Sequence, residues 1–139
     1  MMNEEANLKS AYQYIRKEFF PRWDKKCQWR IKLDRKDPRD GLCDLENKEI
    51  TISAIPESET DFHLLLIHEI CHFVSPTHGS KWQKRMTKAS ERADRIGMEV
   101  LAEAIRKEVE FSVKRYGFEY RLKDAYDTVS YTHLTLPTN

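Results

Sequence analysis

The sequence predicts an α+β fold: an N-terminal helix, a short three-stranded antiparallel sheet, a buried helix and C-terminal helices. Three observations predict it. Apolar residues recur at helical spacing near the N-terminus, short alternating segments follow, and the run 61–74 is apolar on nearly every side. At 139 residues one hydrophobic core is feasible.

Leu8, Tyr12, Ile15 and Phe19 form the stripe of the first helix, which Pro21 ends because it lacks an N–H. Trp29, Ile31 and Leu33 alternate as in a half-buried strand. After the charged Asp34–Asp40 turn, two more strands are expected near Leu42–Leu45 and Glu49–Ser53, with Asn47-Lys48 as the hairpin turn. Pro56 and Ser58 introduce the buried helix, with Ser58 and Asp61 spaced as a weak capping box. Trp82, Met86, Ala89, Ala93 and Ile96 then form an apolar stripe expected to pack beneath the site described next. Gly97 breaks the pattern ahead of a further amphipathic helix carrying Leu101, Ile105 and Val109.

The chemistry-bearing residues lie on the buried helix: His68-Glu69-Ile70-Cys71-His72, with His78-Gly79 six residues later. Two histidines four apart on a helix lie about 40° apart around it, so both rings can reach one ion roughly 2.0–2.1 Å away. Glu69, one residue along, points beside the pair, where a carboxylate can take a proton from a water held by the ion. Pro76 sends the chain back, so that a third ligand, His78, can come from a turn. Unpartnered in an apolar helix, each of these polar groups would cost about 1–3 kcal/mol, a cost that metal ligation removes. The pattern therefore predicts Zn²⁺ held by His68, His72 and His78, with Glu69 catalytic. Glu99 or Glu103 on the last helix stands as an alternative third ligand.

These residues resemble the SprT-like metalloprotease domain, whose HExxH motif is followed by a third His and, four residues on, an aromatic, here Trp82. The short interval from His72 to His78 is closer to the related WLM and YgjP-type domains. Residues Gly41–Asp44 through Glu49–Ser53 are similar to the hairpin that precedes the family's metal helix, and the likeness covers about residues 8–96. The resemblance implies a minimal zincin-like fold, a zinc metallopeptidase acting on protein or peptide, and a substrate that is protein bound to DNA. Many relatives add a zinc ribbon with paired CxxC motifs, which this sequence lacks. Two other functions stay open: a metal-dependent hydrolase of a non-peptide bond, and a non-catalytic zinc-stabilised adaptor. An intact Glu69 argues against the adaptor, which has no need of that carboxylate.

Composition narrows the partners. No stretch reaches the roughly 18 apolar residues of a membrane span. The acidic start, Met1-Met2-Asn3-Glu4-Glu5, has no apolar signal region, and Cys27, Cys43 and Cys71 are odd in number and widely spaced. Both features predict free thiols in a cytoplasmic protein, with Cys71 as core packing. Lys81, Arg85, Lys88, Arg92 and Arg95 form a basic stripe that is either a solvated face or a rim attracting DNA; a net charge of only +1 does not favour strong nonspecific binding. His63 lies about 140° around the helix from His68 and is expected to be partner-bonded or exposed. Tyr116 and Tyr120 are weak candidates for stabilising an oxyanion. The segment 128–139, including His133, loses charge and helical period and resembles a translated sequencing adapter, so the domain is expected to span 1–127.

Overall fold

A computed structural model describes the backbone of residues 3–129 and side chains as far as Tyr116. Residues 130–139, which hold most of the expected foreign tail, lie outside the described residues. The chain forms two compact units, Met1–Phe73 and Val74–Asn139.

The first unit begins with α1 (Glu4–Phe19). The Asn3 side chain caps it, accepting the Ala6 N–H at 2.7 Å, and Glu4 and Glu5 in its first turn complement the positive helix end. Leu8, Tyr12, Ile15 and Phe19 are buried, as their spacing predicts. The helix stops at Phe19, two residues before Pro21. The Asp24 carboxylate then accepts the N–H groups of Gln28 and Trp29 at 2.7 and 3.1 Å, closing the loop that leads into β1 (Arg30–Leu33). Two further strands, β2 (Gly41–Asp44) and β3 (Glu49–Ile52), form a hairpin whose turn is tied by Asp44, which accepts from the Asn47 main chain and side chain.

The sheet is mixed, which corrects the expectation of an antiparallel one. Its order is β1-β3-β2, with β2 antiparallel to β3 but β1 parallel to it. The reason is burial. Ile50 and Ile52 on β3 are fully buried, whereas every residue of β2 is partly exposed, so the most apolar strand takes the centre. A parallel pair needs a crossover of about a dozen residues or more, which residues 34–48 supply. The charged segment at its start is pinned at both ends to β3 or the residue after it, by Asp34 N–H to Ile52 C=O at 2.8 Å and Ser53 N–H to Asp40 C=O at 3.1 Å. This route carries the chain past the place of β3 and leaves β2 on an edge.

Next, α2 (Glu59–Cys71) packs against α1 and β2. Ser58 caps it, its hydroxyl accepting the Asp61 N–H at 3.0 Å. Leu66, Ile67, Ile70 and Cys71 are fully buried. The α-helix ends five residues before Pro76, not at it, and tightens into a 3-10 turn over His72–Val74.

In the second unit, α3 (Ser80–Arg95) buries Trp82, Met86, Ala89 and Ala93 against Leu101, Ala102 and Ile105 of α4 (Glu99–Val129). Gly97, at φ +81°, reverses the chain between them: its N–H bonds to Asp94 C=O at 3.1 Å, and that of Met98 to Ala93 C=O at 2.8 Å. A left-handed residue with this pair of bonds is the Schellman ending, and glycine adopts it without a Cβ penalty.

Because α2 carries the chemistry-bearing residues, its cap matters beyond local stability. Ser58→Ala is expected to cost about 1 kcal/mol, lowering the melting temperature by roughly 2–5 °C in a thermal melt.

Candidate metal centre

His68 and Glu69 lie in the last turn of α2, and His72 is the residue on which it ends. His72 keeps nearly helical dihedrals (φ −68°, ψ −8°), so the four-residue spacing still brings the two rings together. Their centroids are 5.1 Å apart, edge to face at 64°. Beyond the 3-10 turn, Ser75 Oγ accepts the Thr77 N–H at 3.2 Å, forming a short polar turn ahead of His78. One ligand-capable atom from each of His68, His72 and His78 lies within 4.8 Å of the others. Among the described residues, this is the one group of three or more His, Cys, Asp or Glu side chains close enough to share an ion.

Glu69 stands beside this group without belonging to it. It is only 5% exposed, and its Oε2 is 3.9 Å from His68 Nε2. Gly41 of β2 also lies close to the carboxylate: a Cβ there would sit 2.6 Å from Glu69 Oε2 and 2.9 Å from Cδ. Cys43, two residues along the strand, shares the face of Gly41. Burial, and then the charge of Glu69, pushes its thiol up to about 12, so the neighbour of the carboxylate is a neutral thiol.

His78 is held through its main chain. Its carbonyl accepts from Gln83 Nε2 at 2.8 Å and from Ser112 Oγ at 2.6 Å, while the same Gln83 amide donates to Ser112 Oγ at 3.0 Å. Gln83 is fully buried and Ser112 nearly so, and Gln83 Oε1 finds no hydrogen-bond partner. The Trp82 indole packs edge-on against the imidazole, centroids 4.7 Å apart at 88°. An amide that leaves one buried acceptor unmatched in order to grip a neighbouring carbonyl is costly, by about 1–3 kcal/mol, and fits a position held for more than stability.

The other candidates fall elsewhere. Glu99 and Glu103 are exposed and outside the histidine group, and Glu103 pairs with Arg106 at 3.1 Å. His63 is neither exposed nor bonded at Nδ1; it is buried against the rings of Tyr14 and Phe62, and burial lowers its pKa. Cys71 is fully buried in the core. The Tyr116 ring lies beside the Arg115 guanidinium at 5.7 Å. The Tyr120 side chain and all of His133 lie outside the described residues. Of the basic stripe, Lys81, Lys88 and Arg95 are exposed, whereas Arg85 and Arg92 are half-buried.

Gly41, Gln83 and Ser112 escaped the reading of motifs. Each left a faint trace: a glycine opening a strand, and polar residues on otherwise apolar helix faces, Gln83 in line with Met86 and Ser90, Ser112 in line with Ile105.

Comparisons with protein-family models, with curated proteins and with solved structures return no match.

If His78 is a ligand, loosening its clamp should loosen the metal. Combining Gln83→Met with Ser112→Ala is expected to weaken zinc binding about 10- to 100-fold in a chelator competition, with helix content unchanged by circular dichroism. Unaltered zinc affinity would remove His78 from the ligand set.

Proposed function

We propose that the protein is a zinc-dependent metallopeptidase of the SprT-like kind, built on a minimal zincin-like fold. His68, His72 and His78 are its ligands and Glu69 its general base. The observation that carries this reading is a three-imidazole group flanked by a buried carboxylate that is not one of the ligands. Structural zinc is closed by four protein ligands, commonly cysteines, while catalytic zinc has three and keeps one position open. Three neutral imidazoles also leave the ion its full charge.

When bound, zinc supplies Lewis acidity, bringing the pKa of a water in its open position to about 7 and polarising an acyl oxygen. The proton work belongs to the chain. Glu69 Oε2 takes a proton from the attacking water and delivers it to the leaving amine nitrogen. Confinement between His68 and the Gly41 main chain holds the carboxylate beside the ligands.

Peptide is favoured over other substrates by the place of β2. It is an edge strand packed on α2, and Gly41 on it touches Glu69. An extended peptide adding to that edge gains main-chain hydrogen bonds whatever its side chains, and passes close to the base. Protein associated with DNA is the proposed substrate class, on the family resemblance together with the exposed row Lys81, Lys88 and Arg95. A cytoplasmic setting accords with the free cysteines. No described helix is long and apolar enough to cross a membrane.

Glu69→Gln is the test. The variant is expected to retain its zinc, because Glu69 is not a ligand, and to lose about 10²-fold or more in turnover of casein or of a DNA-bound protein. Full turnover with bound zinc would contradict the mechanism.

A further inference from the structure

The contact between Gly41 and Glu69 is closer than any side chain permits. A Cβ at position 41 would lie 2.6 Å from Oε2, 2.9 Å from Cδ and 3.0 Å from Cγ of Glu69. Real Cβ atoms essentially never come within 3.0 Å of another heavy atom, so something must shift. The collision involves Cδ as well as Oε2, with Cγ at the limit, so turning the terminal oxygens alone does not relieve it. Nor is there open solvent to move into, since Glu69 is 5% exposed, with His68 Nε2 3.9 Å from its Oε2.

Two ordinary reasons for a glycine do not apply. Its φ is outside the left-handed region that only glycine visits freely, the positive-φ glycine among the described residues being Gly97. It also lies within a strand, paired with Ile52 of β3, where glycine is a poor choice by propensity. What the missing side chain leaves is room for a carboxylate.

We infer that Gly41 is a positioning residue for Glu69: the notch it leaves in the edge strand fixes where the carboxylate stands relative to the histidine group. This rests on the proposed role of Glu69 as the base, although the contact itself does not. Any side chain at 41 pushes the carboxylate out of the notch, while the three imidazoles, on the helix and the turn after it, keep their places. A base displaced by about 1 Å costs on the order of 10²-fold in rate.

The experiment places Gly41→Ala in the zinc-loaded full-length chain, in both the wild-type and the Glu69→Ala backgrounds. Zinc content, melting temperature, kcat and KM on casein are measured. In the wild-type background zinc and KM should hold, kcat should fall about 10²-fold, and the melting temperature should drop. In the Glu69→Ala background the notch is vacant and the backbone accepts alanine, so the same substitution should leave the melting temperature unchanged or raise it by about 2 °C, through reduced freedom of the unfolded chain. An equal drop in both backgrounds, or an unchanged kcat in an active wild-type background, would overturn the inference. The melting comparison stands whether or not casein is cleaved. A chain without peptidase activity that still shows the background-dependent melt refutes the proposed function and keeps the Gly41–Glu69 coupling.

Discussion

Two imidazoles and a carboxylate must be accommodated at the end of a helix that also supplies Leu66, Ile67, Ile70 and Cys71 to the core of its unit. His72 and Glu69 are buried beside Ile67, Ile70 and Cys71, all of them fully enclosed. Groups of this kind cannot be left without partners in an apolar setting. One ligand-capable atom from each of His68, His72 and His78 lies within 4.8 Å of the others, so the three imidazoles are close enough to share an ion. Much of what surrounds the site follows from this need: the α-helix gives way to a tighter turn at His72, Ser75 shapes the next turn, and a buried glutamine and serine fasten the main chain at His78.

Sheet topology serves the same end. Had the strands formed a simple meander, β2 would have been central, with both edges occupied. Its displacement past β3 leaves it on the rim, against α2, with Gly41 facing Glu69. The apolar demand of Ile50 and Ile52 for the central position thus leaves an edge strand beside a buried carboxylate. Edge strands are normally a hazard because unpaired main chain invites association. Here the edge is four residues long and ends at Asp44, whose carboxylate is occupied with Asn47, which limits adventitious pairing.

Elements governed by local periodicity were legible in the sequence. The stripe of α1, the Ser58 cap, the two strands of the hairpin and the apolar face of α3 all lie where spacing puts them, and the His68, His72, His78 grouping follows from helical geometry and a turn. Strand order was not legible, because alternation reports which face of a strand is buried and not which neighbour it takes; β1 read as antiparallel for that reason. The supports of the site were hidden for a related cause. Gly41, Gln83 and Ser112 act on residues 28, 5 and 34 positions away, and no local pattern marks a glycine that is needed for its emptiness or an amide needed for its reach.

Three histidines, and no cysteine, are proposed to hold one zinc ion. X-ray absorption at the zinc edge, on protein loaded with one equivalent of metal, is the decisive measurement. Three imidazole nitrogens at about 2.0–2.1 Å plus one light-atom ligand are expected, and replacing His68, His72 or His78 by alanine should remove one imidazole or the ion itself. A sulfur shell at about 2.3 Å, or an unaltered spectrum in any of the three variants, would overturn this ligand set.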